Sequence, residues 1–485
     1  MTRQILHRRH AGLLALAAAL SLTACETPSI VNPNSPSVAG AATSPQALVQ
    51  EATGVLAGWR GTLGGLRSDV GMFGRESYNF TTGDTRATTN FLIGIAVGAN
   101  KLDPNGFANG DWGGQYTVLR NIYNLNIAVA ATSNDLISVA QKSAALGFTK
   151  TIEAALLLQV IETRDTLGAI VQTEASPAVL APFVSRDSTY RYIIGELNAA
   201  LTLLAAGGTS FPFTLHSGFS STATNFSTPA GFAKLTNAYL ARAAIFWATE
   251  GGPATAWQVA ATALQNSFLN AGPSGLTASG LNDGMYQVYS SATGDAANPL
   301  NASTNTSLYA HMSIQTDVQL RATGDTDLRY KAKLHAIPSR QLPGAAASTL
   351  GFNIWPATSS SMAEIRNEEL ILLRAEVELN TGNLAAAIAD INLIRTNSGG
   401  LPPLTLTPAS GTSAILTALL YERRYSLLME GNRWVDYRRY GILNKLPLDI
   451  TSGPFTDFVA VVMPIPSAEC LLRIGLSPPL AGPGC

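Results

Sequence analysis

Stretches of helical periodicity alternate along this chain with long polar segments that carry no period. Pro45 to Arg60 reads as the first helix, with Ala47, Leu48, Val55 and Leu56 on one side. From Gly61 to Gly110 the sequence has no helical period over most of its length and is rich in Gly, Thr and Asn, with scattered aromatics: Phe73, Tyr78, Phe80 and Phe91. A helix returns at 112–131, and a long one is expected within 136–173. Ser185 caps the next, which carries Tyr190, Ile193, Ile194, Leu197, Leu201 and Leu204. After a Ser/Thr/Phe/Gly loop at 207–231, two apolar helices at 232–247 and 256–268 form an antiparallel pair. The second polar insertion covers 271–308 and includes Tyr286 and Tyr289, and 309–319 reads as a short strand or helix. Loops this long inside compact domains tend to be functional or disordered.

Ile365 to Arg395 is a helical hairpin broken at Gly382-Asn383. Ala375 and Ala387 fall on small-residue positions where the two helices approach, and Ile388, Ile391 and Ile394 continue the buried face. This is the tetratricopeptide pattern. One hairpin cannot bury its own apolar face, so the pairs near 142–204 and 232–268 are expected to stack with it. The fold class is mainly α: tetratricopeptide-like hairpins with long irregular insertions.

The stretch 414–441 puts charge where apolar residues belong. Ile415, Leu416, Leu419, Leu420 and Leu427 form a helical stripe, yet Arg423 and Glu430 share it. Buried charges persist only when paired and hydrogen-bonded. A structural ion network of Arg423, Glu430, Arg433 and Asp436 is the expectation, with Arg438 and Arg439 adding charge beside it; a ligand-facing carboxylate pair is the alternative.

Charged residues are only 13% of the chain and net charge is −1, against about 25% charged in an average domain. Nothing supplies the basic stripe of a nucleic-acid binder. At the N-terminus, Arg3, His7, Arg8, Arg9 and His10 precede an apolar run from Leu13 to Leu22, too short for a membrane span. Leu22-Thr23-Ala24-Cys25 then matches the lipobox of bacterial lipoproteins, so residues 1–24 read as a signal peptide and Cys25 as the lipid anchor; the alternative is ordinary signal cleavage near Ala24. Residues 25–44, with Asn32-Pro33-Asn34 and Ser35-Pro36, read as an extended tether. Cys470 and Cys485 remain. They either pair, closing a loop of about 15 residues worth roughly 3 kcal/mol, or stay free thiols; pairing is the preferred reading.

No phosphate-binding loop, nucleophile elbow or metal-binding His-Glu-x-x-His helix is present. His216, His311 and His335 stand far apart, which argues against a metal site, and no cofactor is implied.

Glu422, Arg423, Arg424, Leu427, Glu430, Gly431, Arg433, Trp434, Asp436, Arg439 and Gly441 resemble the C-terminal signature of the SusD/RagB family of outer-membrane nutrient-uptake lipoproteins. Ser426 stands where that family usually has Glu, and Tyr437 where it has Leu. Asn32-Pro33-Asn34, the Trp112-to-Tyr116 helix start, Gly324-Asp325-Thr326-Asp327 with Arg329, and Met463-Pro464-Ile465-Pro466 with Glu469 are similar to further family segments. The resemblance implies that residues 45–485 form one α-helical substrate-binding domain. It also implies a lipid-anchored protein at the outer membrane, facing the cell surface, that binds a glycan or similar nutrient and serves a SusC-like TonB-dependent transporter without catalysis. Ligand-binding candidates lie in the two insertions: Arg75, Tyr78, Asn79 and Asp84 in one, Tyr286 and Tyr289 in the other. Tyrosine faces and amides suit a neutral polyhydroxylated ligand. The rivals are a tetratricopeptide-like envelope scaffold that binds proteins or peptides, and a surface glycosidase.

Overall fold

The computed structural model describes residues 45–485; the leader, Cys25 and the tether lie outside them. Fifteen helices run through these residues in chain order. They are α1 (Pro45–Phe73), α2 (Arg86–Leu92), α3 (Gly113–Ala131), α4 (Val139–Arg164), α5 (Arg186–Ala205), α6 (Pro229–Thr249), α7 (Thr255–Asn266) and α8 (Ala278–Leu281), then α9 (Ser313–Thr316), α10 (Leu328–Lys333), α11 (Asn367–Asn380), α12 (Leu384–Asn397), α13 (Thr412–Ser426), α14 (Arg433–Arg439) and α15 (Ser467–Leu471). The strands are short: β1 (Ser77–Asn79), β2 (Gly284–Gln287), β3 (Leu308–Ala310), β4 (Leu334–Arg340), β5 (Ser348–Phe352) and β6 (Met362–Arg366). They pair as separate two-stranded antiparallel ladders, β1 with β3, β2 with β6 and β4 with β5.

The long helices stack in series. α1 packs on α3, α3 on α4, α4 on α5, α5 on α6 and α6 on α7; α11 then packs on α6 and α7 and against its partner α12. Each hairpin thus covers the apolar face that its neighbour cannot bury alone, the tetratricopeptide logic read from the 365–395 repeat. Ala375 and Ala387 are both fully buried between α11 and α12. A side chain at Gly147 of α4 would meet Leu204 Cγ of α5 at 2.7 Å, so α4 and α5 approach closely there. α4 has the length and hydropathy of a membrane span, but 83% of its most apolar window is buried within the stack, so it serves as the core helix. Side-chain caps start the helices: Ser138 forms a capping box with Gln141 on α4, and Ser185 and Thr228 cap α5 and α6.

The first helix does not stop at Arg60. Leu63, Leu66, Val70 and Phe73 extend its buried stripe through three more turns. Gly61, Gly64 and Gly65 read as breakers, but a Cβ at Gly64 would lie 2.5 Å from Pro299 of the second insertion. That glycine is a close-contact position inside a helix. The stretch 414–441 breaks near Gly431, a poor residue for a helix interior: α13 ends at Ser426, Met429 and Gly431 take positive φ, and α14 begins at Arg433. Cys470 and Cys485 are disulfide-bonded, with Cα atoms 5.4 Å apart.

The Arg423–Asp436–Arg439 ion network is buried, and packing sets its pairs. Arg423 engages Asp436, and Arg439 bridges Asp436 to Glu376. Glu430 instead takes Arg366 at 2.8 Å. Arg433 donates to the backbone oxygen of Arg75 and lies over the Tyr437 ring. Tertiary approach of β6 brings Arg366 to Glu430, which the α13 stripe alone could not reveal. Ser426 has a partner set too: Arg329 donates to its hydroxyl, which donates to the Glu368 carboxylate at 2.6 Å.

Candidate functional site

The two insertions meet. β1 of the first pairs with β3, at the end of the second, with Ser77 opposite Ala310 and Asn79 opposite Leu308. Around this ladder Tyr78, Phe80, Tyr309 and His311 form an aromatic cluster, with Tyr78 stacked on Phe80 at 4.8 Å. Tyr78 is fully buried and its hydroxyl donates to Asp449. Arg75 is equally buried: it donates to the carbonyl oxygens of Pro447 and Phe458 and faces Asp457. Tyr289 lies in a hydrophobic cluster with Leu63, Leu300 and Trp355, with the Arg60 guanidinium over its ring. These three candidates therefore hold the insertions against the scaffold and present no face to a ligand. Their aromatic and cationic character was read as recognition chemistry; burial turns it into cement.

Asn79, Asp84 and Tyr286 stand differently. Asn79 and Asp84 line a cavity of about 660 Å³ together with Asp69, Thr81, Asn105, Phe107 and Asn109. The loop chemistry that shapes it is local. Asn79 accepts from the Thr81 hydroxyl, and its backbone oxygen accepts from Thr88 at the start of α2. Asp84 forks onto Arg86, whose hydrogen bonds hold its carboxyl below the usual range. The Arg86 guanidinium in turn sits 5.0 Å over the Phe107 ring. Asn90 accepts from the Phe107 backbone and so fixes that exposed ring at the rim. An exposed aromatic above a bed of amides is suited to stacking on a sugar ring while hydroxyls pair below.

Tyr286, on β2, lines a second cavity of about 750 Å³ with Thr222, Ser274, Thr277, Ser279, Asn282 and Ser361. Its hydroxyl donates to the Asn282 carbonyl, and burial pushes the phenol up to about 12, so it remains a neutral donor. This wall is almost all hydroxyls. Among the described residues, no group of three or more His, Cys, Asp or Glu is placed to hold a metal ion.

Sequence reasoning missed Asp69, Asn105, Phe107 and Asn109. Asp69 sits in the part of α1 that its glycines disguised. The signal for Phe107 was present: a lone aromatic within Asn105-Gly106-Phe107-Ala108-Asn109-Gly110 has no periodic partner to pack on.

Residues 356–465 match the model of the SusD family. No curated protein matches the chain by sequence. Among solved structures, a SusD superfamily protein from Bacteroides vulgatus is similar with a TM-score of 0.64 at 15% identity, covering 91% of this chain and 98% of that one. Surface glycan-binding protein A from Bacteroides fluxus is similar with a TM-score of 0.61 at 15% identity, covering 89% and 97%. A SusD-like carbohydrate binding protein from Bacteroides fragilis is similar with a TM-score of 0.53 at 14% identity, covering 76% and 85%. At these identities the structures speak for the fold, and the sequence match speaks for the C-terminal segment that carries the ion network. Residues 356–465 are thus similar to the SusD family in sequence, and the described residues share the fold of SusD-like structures.

Proposed function

We propose that this protein is a cell-surface lipoprotein, anchored in the outer membrane through Cys25, that captures a glycan and passes it to a SusC-like TonB-dependent transporter. The observation that carries the reading is the pair of cavities built by the insertions. Each sets an accessible aromatic side chain, Phe107 or Tyr286, beside amides or hydroxyls on a rigid helical stack. Loops held by such a scaffold are where binding residues concentrate. Proteins of the same fold are named as a surface glycan-binding protein and a carbohydrate binding protein, which supports the ligand class. Binding without turnover fits a carrier that must release its cargo intact.

A glycan array followed by calorimetry on the form lacking residues 1–25 tests it, with a turnover assay on any glycan that binds. Binding without hydrolysis is expected. Hydrolysis of a bound glycan would make the protein a glycosidase. A second reading, a peptide-binding scaffold, is favoured by a groove of about 830 Å³ between α7 and α11, lined by Trp257, Arg374 and Glu378 among others. Tight binding of a peptide with no glycan ligand would establish that reading in place of the first.

A further inference from the structure

The floor of the Phe107 cavity is acidic and has no free cation to answer it. Asp69 projects from α1 into the cavity and, among the described residues, no group donates a hydrogen bond to its half-buried carboxylate. Behind it stands Asp111, held at a positive φ of 55°, with a buried Oδ2 that has no partner. Burial and the Asp111 charge push the Asp69 carboxyl well up, and burial lifts Asp111 to about 7 despite Arg164.

The two cations nearby direct their terminal nitrogens elsewhere. Arg164 donates to the carbonyl oxygens of Asn109, Gly110 and Asp111 and to the Thr163 hydroxyl, so its fork holds the turn that walls the cavity. Arg86, at the rim, is forked onto Asp84 and lies over Phe107. Two neighbouring carboxyl groups whose nearest cation, Arg164, aims its hydrogen bonds at backbone oxygens gain from a ligand that brings a further cation and offer nothing to an anion.

We infer that this cavity takes an amine-bearing sugar, its ammonium group seated on Asp69, and excludes uronates and sulfated sugars. The inference rests on the glycan-binding reading and names the ligand class of that site. The ammonium donates to the Asp69 carboxylate from within the cavity, the ring stacks on Phe107, and Asn79 and Asn109 pair with ring hydroxyls. N-acetylation of the amine removes the cation and leaves an amide that Asp69 cannot distinguish from the cavity's own.

The test compares β-1,4-linked glucosamine oligomers with N-acetylglucosamine oligomers of the same length, and with oligogalacturonate, by calorimetry on the form lacking residues 1–25. The free amine should bind at least about tenfold more tightly than the N-acetyl form, the scale of one charge-assisted hydrogen bond net of desolvation. Asp69→Asn, which keeps the side chain's shape, should collapse that ratio to about one. Equal affinity for the two series, an unchanged ratio in Asp69→Asn, or uronate binding as tight as the amine's would each overturn the inference. A neutral glycan whose affinity falls in Phe107→Ala, with no preference for the amine, would sink the inference and leave the glycan reading standing. Failure of every glycan on the array would end both.

Discussion

The Arg423 guanidinium forks onto the Asp436 carboxylate at 2.7 and 3.0 Å, joining the last turns of α13 to α14 across a six-residue turn. Asp436 also receives Arg439, which reaches Glu376 on α11, and Tyr440 donates to that same Glu376. One chain of charge-assisted bonds thus ties the signature segment to the last hairpin of the stack. Both charges of the central pair are under 4% exposed.

Arg423→Ala is expected to cost about 3–5 kcal/mol, because it strands a buried carboxylate. The exposed pair Arg191–Asp187, with side chains 68% and 47% exposed, should give under about 1 kcal/mol on the matching substitution. Urea denaturation of both variants checks the contrast. Similar losses in the two would mean that burial does not set the worth of the α13–α14 pair.

Tyr78 should matter to the fold and not to the ligand. Its hydroxyl is a buried donor to Asp449, which His311 Nε2 also contacts at 3.1 Å. Tyr78→Phe leaves Asp449 short of one donor, a loss of about 1–3 kcal/mol. Glycan affinity of the folded variant should be unchanged. Weakened binding at full stability would return Tyr78 to the site.

These contrasts mark how much could be read from sequence. The helical stack was legible because its apolar periods are long, and Gly382-Asn383 with Ala375 and Ala387 marked one hairpin clearly. The ion network was legible as a conflict, charges on a stripe that must be buried, but its pairing was not: Arg366 reaches Glu430 from 64 positions away. The candidate site was half legible. Asn79, Asp84 and Tyr286 lie on cavity walls, while Arg75, Tyr78 and Tyr289 are buried, because composition says that a loop carries recognition chemistry and only packing says which side chains face out. Asp69 was hidden by glycines that serve helix contacts, as at Gly64 against Pro299.

Membrane attachment should depend on one thiol. Cys25→Ala is expected to leave an unacylated protein that partitions out of the detergent phase. Protease shaving of intact cells then reports which leaflet the anchor occupies. A Cys25→Ala protein that still fractionates with the outer membrane would overturn the lipid anchor.

Stability should peak in mild acid. Burial lifts Glu76 to about 7 and Glu162 to about 8, even though Arg433 faces the first and Arg242 the second. In the unfolded chain such groups titrate near about 4.3. Above that pH the folded state holds protons that the unfolded state has lost, so stability falls as pH rises and is lost through about 7–8. Glu368 acts at the other end: burial raises it, but Arg366 and Lys333 overcome this and pull it to about 2. Its contribution is present above the unfolded value and fades as pH drops toward 2. Melting temperature is therefore expected to be highest near about pH 5. Glu76→Gln should flatten part of the alkaline decline, and a decline identical to wild type would remove Glu76 as a cause.

The two cavities make different demands on a glycan, and one pair of substitutions separates them. Phe107 is 47% exposed at the rim of its cavity and is fixed by Arg86 and by the Asn90 contact to its backbone. Tyr286 is half-buried, with its hydroxyl spent on Asn282 and its ring edging a wall of Ser and Thr. Phe107 is thus more exposed to a ligand than Tyr286. Phe107→Ala should weaken binding by about 0.5–1.5 kcal/mol beyond the lost area, the worth of a stacked aromatic. Tyr286→Ala should weaken it less, unless the ligand is long enough to occupy both cavities; in that case the losses should add, because the two sites share no partners. Calorimetry on the single and double variants reads this out. Loss confined to Tyr286→Ala would move the primary site to the hydroxyl-walled cavity, and full affinity in both would place the ligand outside the insertions.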